Sequence, residues 1–277
     1  MDTVHRVLSD GLTLVAETTG EGLPLVFSHG LTNNRLQGRL LLQPLIGAYR
    51  LVCFDQRGHG DSTPVTDPAC YDPEHMTNDI AAVMDALGIR RATLSGESMG
   101  SATALLFALR HPKRVERLLL VAPALADRPN LGSDCIKELG RQLSTAQGVE
   151  DYIRDAMAGE WQEAGYTPEA MACQAAYFRS FQPASMAAAC QAMAGWVILK
   201  SLDELHAITC PVHIIAWEGD LIHPVPLAQA MVDRLSRARL TVVPSAAAIS
   251  NDPASVGRTF ARSQRAQPRA RSRGTAW

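Results

Sequence analysis

The chain alternates short β-prone runs with segments of helical period, and that alternation narrows its possible folds most. The β-prone runs include Leu23-Pro24-Leu25-Val26-Phe27-Ser28, Arg50-Leu51-Val52-Cys53-Phe54, Arg91-Ala92-Thr93-Leu94-Ser95, Arg117-Leu118-Leu119-Leu120-Val121-Ala122 and Pro211-Val212-His213-Ile214-Ile215-Ala216-Trp217. Most are almost continuously apolar, the pattern of strands covered on both faces. Between them lie helical segments; over 73–87, Met76, Ile80, Val83, Met84 and Leu87 fall on one helical face. Strands separated by helices predict an α/β fold with a mostly parallel sheet flanked by helices. A hairpin over 4–17, turning at Asp10-Gly11, precedes this core. Further helices are expected over 36–46, 225–235 and 254–262, and a last strand over 240–243.

The alternation stops over 127–205. No strand is expected there, only helix-like segments with breaks at Gly148, at Gly165-Tyr166-Thr167-Pro168 and at Gln182-Pro183. So long a helical stretch between two strands of one sheet predicts an insertion forming a lid over the strand ends. The expected division is a core of 1–125 and 206–262, a helical lid of 126–205, and a disordered Arg-rich tail of 263–277. The lid is rich in soft apolar side chains, among them Trp161, Tyr166, Met171, Tyr177, Phe178 and Met186. Those that face a cleft would suit a small, mostly nonpolar substrate.

Bulk properties exclude several classes. Net charge is −2, which gives no general attraction to nucleic acid or anionic membrane. Apolar residues make up 47% of the 277 positions, enough for a substantial core. No hydrophobic leader opens the chain and no apolar run approaches membrane-spanning length, so a cytoplasmic protein with no membrane partner is expected. The six cysteines form no C-x-x-C pair and are expected as free thiols, with no metal or other cofactor. Six arginines between Arg258 and Arg273 give the tail its basic character, but without interleaved aromatics no nucleic-acid partner is expected.

The chemistry concentrates at Gly96-Glu97-Ser98-Met99-Gly100. A β-prone run precedes it and the helix-prone Ser101-Ala102-Thr103-Ala104-Leu105-Leu106 follows, the strand–turn–helix context of a nucleophile elbow. So tight a turn forces its central residue into strained backbone, and side chains at the flanking glycines would strike strand and helix. Ser98 would stand proud of the sheet. The Met99 N–H, at a helix N-terminus, would face developing negative charge.

Four motifs in order carry a resemblance: His29-Gly30 after a strand, the run from Asp55 to Ser62, the elbow at Ser98, and Gly219-Asp220 after a late strand. Over about residues 10–262 the chain resembles the α/β-hydrolase family, and its elbow is similar to that of small-molecule esterases, enol-lactonases and carbon–carbon bond hydrolases. The resemblance implies hydrolysis of an ester or lactone through an acyl-enzyme on Ser98. It implies an oxyanion hole from the N–H groups of Leu31 and Met99, and Asp220 as triad acid, with Asp127 as an alternative. Arg57 and Asp61 would be structural, holding the loop beside the elbow.

One expected residue is missing. In Ala246-Ala247-Ala248-Ile249-Ser250-Asn251 an alanine occupies the place where the family pattern has its histidine, with Ala248 the favoured position and Ala247 the second choice. No histidine follows His223. A serine without a base is a poor nucleophile. The chain is therefore read as a hydrolase lacking its base, with a ligand-binding or non-hydrolytic pseudoenzyme as the alternative. His223 is the substitute best placed in sequence, although a polar residue at the lid edge is the plainer reading. His29 and His59 are read as structural, and His5, His75, His111, His206 and His213 as surface or helix-end residues.

Overall fold

A computed structural model describes residues 2–124 and 126–265. Eight strands form one sheet: β1 (Thr3–Ser9), β2 (Leu12–Thr19), β3 (Leu23–Ser28), β4 (Tyr49–Asp55), β5 (Ala92–Glu97), β6 (Val115–Val121), β7 (Val212–Trp217) and β8 (Ala238–Val243). Their order across the sheet is β1-β2-β4-β3-β5-β6-β7-β8. The pairs β1/β2 and β2/β4 are antiparallel and every other pair is parallel. The β1/β2 hairpin turns through Asp10 and Gly11, both at positive φ (51° and 77°), as a two-residue hairpin loop demands.

Helices cover both faces. The first three are α1 (Arg35–Leu42), α2 (Pro73–Ala86) and α3 (Met99–Arg110). The predicted face of α2 is realised, with Met76, Ile80, Val83 and Met84 all buried. Helix α3 runs through the core and buries almost every residue from Met99 to Ala108, so its apolar sequence shows little amphipathic period. On α2, Asp79 receives the fully buried Arg57 guanidinium, which donates from Nε and Nη2 to its two carboxyl oxygens, each at 2.8 Å. Asp61 pairs with Arg35 at 2.7 Å. Both contacts secure the loop after β4, as expected for Arg57 and Asp61.

Between β6 and β7 lie α4 (Ser133–Gln142), α5 (Ala146–Ala158), α6 (Glu160–Glu163), α7 (Pro168–Arg179) and α8 (Pro183–Met193), with no strand among the described residues. The breaks at 165–168 and at Gln182-Pro183 fall as expected. The expected break at Gly148 does not. Gly148 lies in the first turn of α5, and the Thr145 side chain caps that helix by accepting from its N–H at 3.0 Å; the cap, rather than the glycine, sets the boundary. The insertion is tied to the rest of the chain at Asn34–Ser180 (3.0 Å) and Val65–Ser185 (3.1 Å).

After β7 come α9 (Val225–Arg234), then α10 (Ala246–Asn251) and α11 (Ala254–Arg265). Helix α10 was not foreseen in the stretch after the last strand. Helix α11 runs past the expected end at 262, because Ser263 and Gln264 hydrogen-bond His213 and Tyr49 in the core. The remainder of the predicted tail lies outside the described residues. His213 is correspondingly buried rather than superficial: it sits on β7, between Ser263 and Thr241, each 2.9 Å away.

Candidate active site

The elbow between β5 and α3 has the strained geometry its sequence demands. Ser98 adopts φ 50°, ψ −111°, a region costly for a non-glycine residue and sustained only by its surroundings. Those surroundings are tight. A Cβ on Gly96 would stand 2.2 Å from the Gly100 carbonyl oxygen, and one on Gly100 would stand 1.9 Å from the Ser28 carbonyl oxygen. Ser98 N–H donates to Val121 O at 3.0 Å, and the Ser101 hydroxyl lies 2.8 Å from the carbonyls of both Gly96 and Val121.

The close approach of Gly100 to Ser28 lays the first turn of α3 on the end of β3, the strand that leads to Gly30-Leu31. Met99 opens α3, so its N–H has no carbonyl one turn back. Leu31, two residues beyond His29, is buried. The turn carrying Leu31 is fixed from below. His29 Nε2 accepts from Gln56 N–H at 3.0 Å, which leaves Nδ1–H to donate to Gly30 O at 2.7 Å. A His59 ring nitrogen lies 2.7 Å from Leu31 O. His29 and His59 are thus packed structural residues, as expected.

The loop after β7 brings a histidine to the serine. Asp220 Oδ1 accepts from the backbone N–H of Ile222 (2.7 Å) and of His223 (3.1 Å), which curls the chain into a tight turn. The turn folds the His223 ring back, so that Nδ1 lies 2.7 Å from Asp220 Oδ2 while Nε2 lies 2.9 Å from Ser98 Oγ. Trp217 Nε1–H donates to the same Asp220 oxygen at 2.7 Å, and its ring packs on His223 with centroids 5.2 Å apart. Burial alone would raise the Asp220 carboxyl. The hydrogen bond and charge of His223 and the Trp217 donor outweigh it and hold Asp220 well below the usual carboxylate range. An ionised Asp220 fixes the proton on His223 Nδ1 and leaves Nε2 free to accept the serine hydroxyl.

This corrects the sequence reading in which the chain lacks a histidine at its serine and His223 sits at the lid edge. The missed signal was local: an aspartate whose side chain caps the next turn draws the third residue onward over its own carboxyl. Ala248, the favoured place for the absent histidine, is exposed on α10, whereas Ala247 is buried. Asn251 joins α10 to the insertion, accepting from Thr167 N–H and donating to Gly165 O, both at 2.8 Å. Asp127 hydrogen-bonds Arg128 at 3.2 Å and is not brought to Ser98 through a histidine. Among the described residues no group of three or more His, Cys, Asp or Glu is placed to hold a metal, and no helix is long and apolar enough to cross a membrane.

The family model described as the alpha/beta hydrolase fold matches residues 24–156, which hold the turn at Gly30-Leu31, the loop after β4 and the elbow. The chain is an α/β hydrolase. Among its relatives, 3-oxoadipate enol-lactonase 2 of Acinetobacter baylyi is 26% identical over 230 residues, 82% of each chain. The 2-hydroxymuconate semialdehyde hydrolase of a Pseudomonas species is 27% identical over 251 residues, 86% of this chain and 84% of the relative. A thermophilic esterase from Thermogutta terrifontis, solved with malate bound, superposes with a TM-score of 0.79 at 24% identity, covering 95% of this chain and 98% of that one. This α/β hydrolase therefore has the scaffold on which ester and lactone hydrolases are built.

Proposed function

We propose that the protein hydrolyses carboxylic esters or lactones of small, mostly nonpolar molecules through an acyl-enzyme on Ser98. One observation carries the reading: His223 Nε2 lies 2.9 Å from Ser98 Oγ with Asp220 2.7 Å behind the other ring nitrogen. In this mechanism His223 takes the Ser98 proton as Oγ attacks the substrate carbonyl, then returns it to the leaving alcohol as the tetrahedral intermediate collapses. Water, deprotonated by the same nitrogen, releases the acid. Asp220 holds the imidazole in orientation and stabilises its cationic form. The N–H groups of Met99 and Leu31 hold the oxyanion, each such donor being worth about 3–4 kcal/mol of barrier. The five helices between β6 and β7 act as the lid, and the apolar side chains they carry, among them Trp161, Met171, Phe178 and Met186, support a small, largely apolar ligand.

The decisive variant is His223→Ala. Turnover of p-nitrophenyl esters and simple lactones should fall by about three orders of magnitude or more, and fluorophosphonate labelling of Ser98 should fall with it. Parent activity unchanged by His223→Ala would overturn the assignment of the base. A parent that neither turns over these substrates nor labels at Ser98 would favour a pseudoenzyme that only binds its ligand.

A further inference from the structure

Glu97, between Gly96 and Ser98, takes no part in this proton path. Its carboxyl lies against the oxyanion turn: a Cβ on Gly30 would stand 1.8 Å from Glu97 Oε2 and 3.4 Å from Asn33 Nδ2. Gln37 Nε2 donates to Glu97 Oε2 at 3.4 Å, and Gln37 Oε1 accepts from Gly30 N–H at 3.2 Å. Beside Gln37 opens a cleft of about 50 Å³, lined also by Cys173, Gln174, Tyr177 and Ser250. Glu97 lies deep in the molecule yet keeps some contact with solvent, and Gln37 is the residue that links it to this cleft.

One hydrogen-bond acceptor here goes unmet and another is only weakly met. Asn33 is only 8% exposed, and its Oδ1 has no hydrogen-bond partner. The donor that reaches Glu97 is the neutral Gln37 amide, at the long end of hydrogen-bond range. The other groups in electrostatic reach of Glu97 are Asp220 and His223 from the loop after β7 and the phenols of Tyr166 and Tyr177 from the insertion. None of them supplies a fixed positive charge. An unmet acceptor on Asn33 and a weakly bonded carboxyl on Glu97, in an acidic, aromatic setting, favour a ligand that brings an N–H or O–H of its own, and aromatic faces favour it further when it is a cation.

We infer that Glu97 and Asn33 form a subsite beside the oxyanion turn that takes a hydrogen-bond donor on the substrate, an ammonium or a hydroxyl, and so selects among the esters Ser98 attacks. The inference takes its ester from the proposed hydrolase activity, but binding at the subsite does not require Ser98 to react.

The experiment is calorimetric titration with three amides that differ only at the far end of the acyl chain: N-methylpentanamide, N-methyl-4-hydroxybutanamide and protonated N-methyl-4-aminobutanamide. Amides acylate serine slowly, so the titration reads binding alone. The parent should bind one donor-bearing amide at least about tenfold tighter than the methyl-ended one, and the tighter of the two tells ammonium from hydroxyl. Glu97→Gln should cut that preference to about threefold or less, Glu97→Asp should retain part of it, and Asn33→Ala should lower it without touching Glu97. The fold of each variant is followed by circular dichroism. Equal affinity of the parent for all three amides would overturn the inference, as would equal weakening of all three in Glu97→Gln. The matching ethyl esters, followed by pH-stat, separate the two claims. Selective binding without ester turnover refutes the hydrolase and keeps the subsite, whereas turnover without selectivity does the reverse.

Discussion

At Asp220 a single carboxylate performs three local tasks. It accepts two backbone N–H groups that shape the turn, a Trp217 N–H, and the His223 ring. Asp220→Asn keeps the size but offers an amide N–H where the His223 Nδ1–H needs an acceptor, which favours the wrong tautomer. Turnover should fall by about 10³–10⁴, with substrate affinity much less affected; steady-state kinetics against the parent checks it. Trp217→Phe keeps the ring against His223 and removes one donor from the carboxylate. It should cost about a factor of ten in turnover, the scale of one charge-assisted hydrogen bond.

Among the elements, α10 marks the greatest departure from what the family pattern implies. Its first turn is capped by Ser245, whose hydroxyl accepts from Ala248 N–H at 3.2 Å, and Asn251 holds its end to the insertion. Ala248 faces solvent, so a histidine placed there would be directed away from the packed side of the helix. Ala248→His in a His223→Ala background should therefore fail to restore turnover. Recovery of activity in that double variant would return the base to the loop after β8. The elbow has no comparable tolerance. Gly100→Ala puts a methyl within 1.9 Å of the Ser28 carbonyl oxygen, a clash with backbone that no rotamer relieves. It should abolish Ser98 labelling and lower the melting temperature.

For the whole molecule, two kinds of buried titratable group govern stability. Asp79→Ala would strand the Arg57 guanidinium in the core and should cost about 3–5 kcal/mol, measurable by urea unfolding. Buried histidines set the acid limit. Burial lowers His213 from 6.5 to about 4, with Arg239 and Arg117 adding to the effect, and burial with the nearby His59 lowers His29 as well. Both are neutral when folded and take up a proton at their ordinary value when unfolded. The unfolded chain thus binds more protons between about pH 6.5 and pH 4, and stability falls as pH drops through that window. His213→Asn should flatten part of this slope in urea titrations at pH 7, 5.5 and 4.5. Cys53 and Cys190, pushed up to about 12 by burial, should stay unreactive to thiol reagents at pH 7 while exposed Cys135 reacts.

The amino-acid sequence by itself determined the α/β architecture, the strained elbow at Ser98 and the place of Asp220. Each of these is written in local period or in steric demands between near neighbours, such as an apolar strand or two glycines four residues apart. Only the tertiary structure decided which histidine meets the serine. Ser98 and His223 are 125 positions apart, and their contact depends on the order of β5, β6 and β7 in the sheet and on one turn closed by a side chain. No periodicity in the chain encodes that distance. For the same reason Glu97 was legible as a letter of the elbow, while its place against Gly30, Asn33 and Gln37 came from packing alone.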